Sequence, residues 1–184
     1  MQLDPTRPLI IEVPDLLSAD ECQELVARID DGDLSVATIN TARGVAVRTD
    51  VRNNERIMFE DEELAALLLE RVRPRVPEDV FGWRLVGANE MFRCYRYRPG
   101  MRFAPHFDGS FQRDDHERSV YSFLVYLNEG FRGGATRFHG PHRTVVPKRG
   151  AGLLFQHPIL HEGCEVLSGV KHVARTDLMY RSPD

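Results

Sequence analysis

Two histidines and one aspartate in the second half of the chain have the residue types and spacing of a metal site. His106 and Asp108 are two residues apart, so on an extended strand their side chains point to the same face. A second imidazole from a later strand, His161, would complete a 2-His-1-carboxylate facial triad. That arrangement holds non-haem Fe(II) and leaves coordination positions open for oxygen chemistry. Because an H-x-D pair alone is common by chance, the prediction depends on its surroundings.

Short strands separated by glycine and proline must position these ligands. They are predicted at 89–97, 102–108, 119–127, 134–138, 143–147, 151–156, 160–166 and 170–180. Several short strands with turn signals between them indicate an antiparallel sandwich or barrel. We therefore predict a mainly β protein with some α structure, a double-stranded β-helix (jelly roll) flanked by N-terminal helices. The 184 residues are predicted to form a single domain, in which 1–88 supports a catalytic core at 89–180.

Two helices with recognisable start signals are predicted in the N-terminal half. Ser18 followed by Glu21 forms a capping box, and the helix after it is expected to run to about Ile29. Asp61 is expected to cap a second helix at 62–72. Both helices carry apolar residues at helical spacing and are predicted to pack on the outside of the jelly roll. The remaining predictions for this half are strands at 9–13 and 45–51 and a polar turn at 53–56.

Composition excludes several classes of partner. The formal net charge is −4, which gives no reason to expect nucleic acid or an anionic membrane. No stretch approaches the roughly 20 apolar residues that cross a bilayer, and the first residues lack the pattern of a signal peptide. Cys22, Cys94 and Cys164 are widely spaced and are interpreted as reduced thiols of a cytoplasmic protein. The sequence leaves the oligomeric state open.

An ordered set of motifs surrounds the candidate ligands. Tyr97-Arg98-Pro99-Gly100 precedes the H-x-D pair, Tyr126-Leu127-Asn128 and 133–138 (GGATRF) follow it, and His161 comes ten residues before Lys171. With this set, the stretch of about 89–180 resembles the iron(II)/2-oxoglutarate-dependent dioxygenases, specifically their prolyl 4-hydroxylase-like branch. The N-terminal half resembles that family only in general layout.

The resemblance implies that His106, Asp108 and His161 are the iron ligands. Among the seven histidines, His157 is the nearest rival for the last position, but His161 has the family's spacing to Lys171. A group of four other histidines is expected to lie in loops or at the surface: His116, His139, His142 and His172.

The resemblance also implies 2-oxoglutarate as cosubstrate, with its C1 carboxylate and keto oxygen on the iron. Lys171 would hold the far C5 carboxylate, because a buried lysine paired with a carboxylate stays charged. Tyr97 and Tyr126 match tyrosines that hydrogen-bond the cosubstrate, and Ser122 shares a strand face with Tyr126. Exposed or purely structural roles are the alternatives for these residues. Phe103 departs from the family, in which a tyrosine is often found three residues before the first ligand.

The activity implied is hydroxylation of a C–H bond with consumption of O2 and release of succinate and carbon dioxide. L-Ascorbate is implied as an auxiliary reductant that keeps the iron in the Fe(II) state. The alternative is a cupin-like metal-binding barrel without oxygenase activity. Cupins usually use more histidines, in an H-x-H arrangement with a glutamate, and would not need Lys171 or Tyr126.

The substrate is predicted only in outline, as a small molecule or a peptide or protein. Arg93 and Tyr95 share the face of Tyr97, and Arg175 and Asp177 share the face of Lys171. One hypothesis is a charged network near the iron that recognises a polar substrate. The alternative is an internal salt bridge that braces the sheet, since unpaired buried charge is costly. The polar segments 53–56 and 110–117 could also reach substrate, the second as a lid or as a solvated loop.

Overall fold

The computed structural model describes residues 2–41 and 44–183, and most of its regular structure is β. In chain order the strands are β1 (Ile10–Val13), β2 (Ser35–Val36), β3 (Ile39–Thr41), β4 (Gly44–Ala46), β5 (Glu55–Glu60), β6 (Asp79–Val80), β7 (Trp83–Ala88), β8 (Met91–Tyr97), β9 (Phe103–His106), β10 (Glu117–Tyr126), β11 (Arg132–Gly133), β12 (Thr136–Phe138), β13 (Arg143–Val145), β14 (Gly152–Gln156), β15 (His161–Gly163), β16 (Val166–Ser168) and β17 (Lys171–Arg181).

Two α-helices, α1 (Ala19–Asp30) and α2 (Glu62–Val72), begin at the predicted caps. The Ser18 hydroxyl accepts a hydrogen bond from the backbone N–H of Glu21, and the Glu21 side chain accepts one from the N–H of Ser18. Asp61 accepts a hydrogen bond from the N–H of Leu64. These bonds satisfy backbone donors that have no partner within the helix. A 3-10 turn, Arg73–Arg75, follows α2. No helix among the described residues is long and apolar enough to cross a membrane.

A large antiparallel sheet forms one wall of the jelly roll. Its strands follow the order β1-β14-β10-β17-β8-β5-β2, and β7 also pairs with β17 and carries β6. The two longest strands, β10 and β17, lie side by side at its centre. Five strands of the N-terminal half extend this sheet, namely β1, β2, β5, β6 and β7, so the support region contributes strands as well as helices.

A smaller antiparallel sheet, in the order β13-β12-β15-β9, forms the second wall. A core cluster joins the two walls, with Tyr95 and Tyr126 from the large sheet and Phe138 and Val145 from the small one. A second cluster joins the other face of the large sheet to the helices. Alternation along each strand separates the two faces, so Cys94 faces the helices while Tyr95 faces the small sheet. The predicted jelly roll flanked by N-terminal helices is confirmed.

Several predicted boundaries were wrong. The predicted strand at 45–51 is reduced to β4, because the N–H groups of Val51 and Arg52 bond to the carbonyl of Arg48 and close a turn. The predicted turn at 53–56 instead enters β5, where Glu55 forms an ion pair with Arg96 on β8 at 2.6 Å. The strand predicted at 102–108 ends at residue 106. Strand β7 was not predicted at all.

Candidate active site

The three predicted metal ligands converge at one end of the small sheet. His106 and His161 stand directly opposite each other on β9 and β15, and their ring centroids are 4.2 Å apart. Asp108 lies just beyond the end of β9, where its backbone N–H bonds to the carbonyl of His157 at 3.3 Å. One ligand atom from each of the three side chains lies within 4.8 Å of the others.

Backbone hydrogen bonds orient both imidazoles toward the same point. Nδ1 of His106 donates to the carbonyl of Ala104 at 2.8 Å, and Nδ1 of His161 donates to that of Ile159 at 2.9 Å. With the proton on Nδ1, each Nε2 keeps a lone pair for a metal. The Nε2 atoms lie 3.6 and 3.5 Å from the two oxygens of Asp108. Two imidazole nitrogens and one carboxylate are a donor set that suits Fe(II).

The electrostatics of the site favour the protonation states that ligation needs. Burial lowers the pKa of His161 to about 4, so its ring is neutral at pH 7. Burial alone would raise the pKa of Asp108, but Arg175 and the two histidines hold it well below its usual range. Nη1 of Arg175 donates to Asp108 Oδ1 at 2.8 Å, and the Ser122 hydroxyl donates to Oδ2 at 2.6 Å.

His157, the rival ligand, lies outside the triad and is enclosed by hydroxyl groups. Its Nε2 is 2.7 Å from the Ser119 hydroxyl, and its Nδ1 is 2.9 Å from the Ser122 hydroxyl. Ser122 therefore links His157 to Asp108, and it does not line the pocket that leads to Lys171. The prediction of a loop or surface position was wrong for His172, which is buried in β17 and lies 3.0 Å from Asp30.

A narrow pocket leads from the triad to Lys171. The lysine is 3% exposed, and its ammonium donates to the carbonyl of Gly134 at 2.6 Å. It lies 5.2 and 5.4 Å from the ring centroids of Tyr97 and Tyr126. Among the described residues no carboxylate pairs with it, and burial lowers its pKa to about 8. A buried cation facing a pocket without its own counter-ion suits one end of a dicarboxylate such as 2-oxoglutarate.

The second glycine of the GGATRF motif, Gly134, makes room for this lysine. Gly134 has a φ of +66°, a conformation that L side chains rarely adopt. A Cβ at this position would lie 3.1 Å from Cδ of Lys171. Two residues on, the Thr136 hydroxyl is 2.7 Å from that of Tyr126 and also lines the pocket. Sequence reasoning missed Thr136 as a pocket residue, although the motif itself was its signal.

A wider cleft of about 580 Å³ opens on the other side of the triad. All four predicted substrate residues line it: Arg93, Tyr95, Arg175 and Asp177. Asp177 lies 3.3 Å from Arg93 and 3.3 Å from Arg175, so an internal ion-pair network exists. Arg175 also forms an ion pair with Asp108, so this network contacts a candidate metal ligand.

Two further arginines of the cleft, Arg52 and Arg56, were not predicted as candidate site residues. Arg56 belonged to the polar segment 53–56 that was expected near substrate, whereas nothing in the sequence pointed to Arg52. Phe103, the departure from the family pattern, stacks on His106 with ring centroids 3.5 Å apart. The guanidinium of Arg52 lies 4.2 Å from the centroid of the same Phe103 ring.

The start of the segment 110–117, next to the site, is hydrogen-bonded to β10. The Ser110 hydroxyl donates to the carbonyl of Ser119 at 2.6 Å, and the N–H of Phe111 donates to the Ser119 hydroxyl at 2.8 Å. Ser110 and Phe111 line the cleft. Whether the segment acts as a lid stays a prediction.

Residues 92–176 match the family model of the 2OG-Fe(II) oxygenase superfamily. This stretch of the chain is similar to that superfamily. Prolyl 4-hydroxylase 1 of Arabidopsis thaliana is 28% identical over 190 residues, and the match covers 89% of this chain and 66% of that relative, just under two thirds of its length. The predicted resemblance to the prolyl 4-hydroxylase-like branch of the 2-oxoglutarate oxygenases is confirmed.

Solved structures show the same fold. A prolyl-4-hydroxylase of Pseudomonas putida superposes with a TM-score of 0.68 at 21% identity, covering 94% of this chain and 92% of that one. A prolyl hydroxylase of Trichoplax adhaerens, in complex with a peptide fragment of a hypoxia inducible factor oxygen degradation domain, superposes with a TM-score of 0.70 at 17% identity. That match covers 92% of this chain and 83% of the other.

Proposed function

We propose that this chain is an Fe(II)- and 2-oxoglutarate-dependent dioxygenase that hydroxylates a C–H bond of a peptidyl residue or a polar small molecule. One observation carries the proposal: a single pocket has three convergent metal-ligating side chains at one end and a buried, unpaired lysine at the other. Bound iron, with 2-oxoglutarate and O2, supplies the oxidising chemistry and the reaction releases succinate and carbon dioxide.

The residues of the chain hold and orient these groups. His106, Asp108 and His161 would hold the iron, and the adjoining cleft would take the substrate. Arg175 and Ser122 each bind one oxygen of Asp108 and act as positioning residues for that ligand.

The other end of the pocket anchors the cosubstrate. Lys171 pairs with its C5 carboxylate. Tyr97 lines the path between lysine and metal, and Tyr126 is hydrogen-bonded to Thr136, which also lines it. Burial of these groups excludes water and strengthens the ion pair through the low local dielectric. Nothing in the described residues favours the cupin-like alternative, because the ligand set is two histidines and an aspartate in H-x-D spacing.

The finer assignments extend the same proposal. L-Ascorbate acts as the auxiliary reductant of the iron. The buried Cys22 and Cys94, with the half-buried Cys164, are free thiols, as expected for the reducing cytoplasm. The peptide bound by the Trichoplax protein supports a peptide as one of the two substrate classes.

The test is succinate formation from 2-oxoglutarate by the purified protein with Fe(II), screened against metabolite and peptide libraries. The wild-type protein should form succinate, and Asp108→Ala should form none. His142→Asn is the matched histidine control, since His142 is exposed and lines neither the pocket nor the cleft, and it should behave as wild type. Absence of iron-dependent succinate formation from the wild-type protein would refute the proposal.

A further inference from the structure

The cleft beside the triad has an excess of positive charge. Four arginines line it, Arg52, Arg56, Arg93 and Arg175, against two aspartates, Asp108 and Asp177. Both aspartates are already paired with arginines of this set. The guanidinium groups therefore outnumber the carboxylates by two before any metal is bound.

Arg52 is the most unusual of these side chains. It is 4% exposed, and its Nε donates to the side-chain oxygen of Asn54 at 2.7 Å. Its Nη2 is buried without a hydrogen-bond partner. The guanidinium lies 4.4 Å from the ring centroid of Tyr95 and 4.2 Å from that of Phe103. Since Phe103 stacks on His106, a single ring separates this unpaired cation from a metal ligand.

Arg56 adds a second cation without a carboxylate. Its Nη2 donates to the Thr38 hydroxyl at 3.0 Å, and no carboxylate within the described ranges forms an ion pair with Arg52 or Arg56. Burial lowers the pKa of Arg56, and the neighbouring charges of Arg52 and Arg93 lower it further. These three guanidinium groups therefore repel one another, an arrangement that costs stability unless an anion offsets it.

The cosubstrate does not account for this charge. The pocket that ends at Lys171 and the arginine-lined cleft share His106, Asp108 and Arg175, but Lys171 lines only the former. Arg52, Arg56 and Arg93 line only the latter. An anionic group that pairs with these arginines would therefore belong to the substrate and not to the cosubstrate.

We propose that Arg52 and Arg56, with Arg93 beside them, bind an oxyanion group of the substrate, a carboxylate or a phosphate, whose attachment places the oxidised C–H bond over the metal. This inference rests on the proposed function and narrows its substrate class to anionic molecules. A planar guanidinium matches the oxygen pairs of carboxylates and phosphates. Arg175 does not take this role because Asp108 and Asp177 already engage it.

The test compares charged probes with their neutral counterparts on the anaerobic protein loaded with Fe(II) and 2-oxoglutarate. The probes are N-acetyl amino acids, their primary amides, and N-acetyl-O-phosphoserine amide as the phosphate arm. Binding is followed by ligand-detected NMR and calorimetry. At least one class of oxyanion should bind about tenfold or more tightly than the amides, because a hydrogen bond to a charged acceptor is stronger than one to a neutral amide.

Arg52→Gln and Arg56→Gln should each lower this ratio toward one, whereas a merely unfolded protein would lose the binding of anions and amides alike. Arg75→Gln, an exposed arginine remote from the cleft, is the matched control and should keep the wild-type ratio. Amides that bind as well as the anions, no binding by any anion, or an unchanged ratio in both variants would overturn the inference.

Two further measurements on the same wild-type samples, titration with 2-oxoglutarate and an assay of succinate formation, distinguish failure of the substrate-class inference from failure of the proposed function. Normal cosubstrate binding without an anion preference would overturn only the inference about substrate class. Failure to bind 2-oxoglutarate would refute the proposed function, and the preference of the cleft for anions would still be scored from the probe titrations.

Discussion

The affinity for 2-oxoglutarate should be constant up to about pH 8 and fall above it, because Lys171 then loses its proton. Burial lowers the pKa of this lysine to about 8, and only the ammonium form pairs with the C5 carboxylate. The carboxylates of the cosubstrate stay ionised over the whole range. Above the lysine pKa, binding must therefore take up a proton, and each further pH unit costs about 1.4 kcal/mol, or roughly tenfold in affinity. At pH 9 the dissociation constant should be about tenfold higher than at pH 7.

Two variants separate this titration from other effects of alkaline pH. Lys171→Arg keeps its charge to far higher pH, so its affinity for 2-oxoglutarate should not change between pH 7 and 9. That affinity should be lower than the wild-type value at pH 7, because the forked guanidinium differs in shape from the compact ammonium. Lys171→Ala leaves a buried carboxylate unpaired, which typically costs about 3–5 kcal/mol. Its affinity should be roughly two to three orders of magnitude lower and independent of pH.

The assay is anaerobic titration of the Fe(II) protein with 2-oxoglutarate at several pH values, following the charge-transfer absorption of the complex. A wild-type affinity that does not change between pH 7 and 9, together with a weak Lys171→Ala variant, would show that the lysine pKa is not depressed. Unchanged affinity in Lys171→Ala would refute the anchor itself. In that case Arg175, on the same strand face, is the first alternative.

Further substitutions test the remaining parts of the site. His106→Ala and Asp108→Ala should each abolish iron binding and turnover but leave the circular dichroism spectrum unchanged, because the main hydrophobic core lies elsewhere; full activity in either would refute the ligand assignment. His157→Ala should keep the iron site but lower the free energy of unfolding by about 1–3 kcal/mol in urea titrations, since it removes two buried hydrogen bonds, those to the Ser119 and Ser122 hydroxyls. If His157→Ala lost iron more readily than His161→Ala, the wrong distal ligand would have been chosen. Tyr126→Phe should weaken 2-oxoglutarate binding by about 1 kcal/mol, roughly fivefold, in the same absorption titration.

Local signals in the sequence were enough for the helices and for the centre of the site. The capping residues placed both helix starts correctly, because a cap involves residues three apart in the chain. The H-x-D spacing and the spacing from His161 to Lys171 identified residues that the structure brings to one pocket. These signals lie within short segments, and the order of those segments along the chain also indicated the family resemblance.

The arginine-lined side of the cleft could not be predicted because its contacts join distant segments. Arg52 meets the site through an isolated bridge to Phe103, and no local pattern marks that pairing. The polar run before β5 indicated a turn, yet Glu55 is stable in a strand because Arg96 on β8 offsets its charge. The sequence predicted Asp108 on a strand, but β9 ends two residues before it. The backbone N–H of Asp108 instead donates a hydrogen bond to the carbonyl of His157, which keeps the residue in position.

Charge balance connects the metal site with the inferred substrate class. A ferrous ion and a dianionic cosubstrate offset each other, and the charges of Asp108 and protonated Lys171 do the same, so the loaded metal site is neutral overall. Loading therefore adds no net charge, and Arg52, Arg56, Arg93 and Arg175 still face only Asp108 and Asp177 among the lining residues. Since unpaired charge in a partly buried cleft is costly, the cleft should keep its preference for an anionic substrate when iron and cosubstrate are bound.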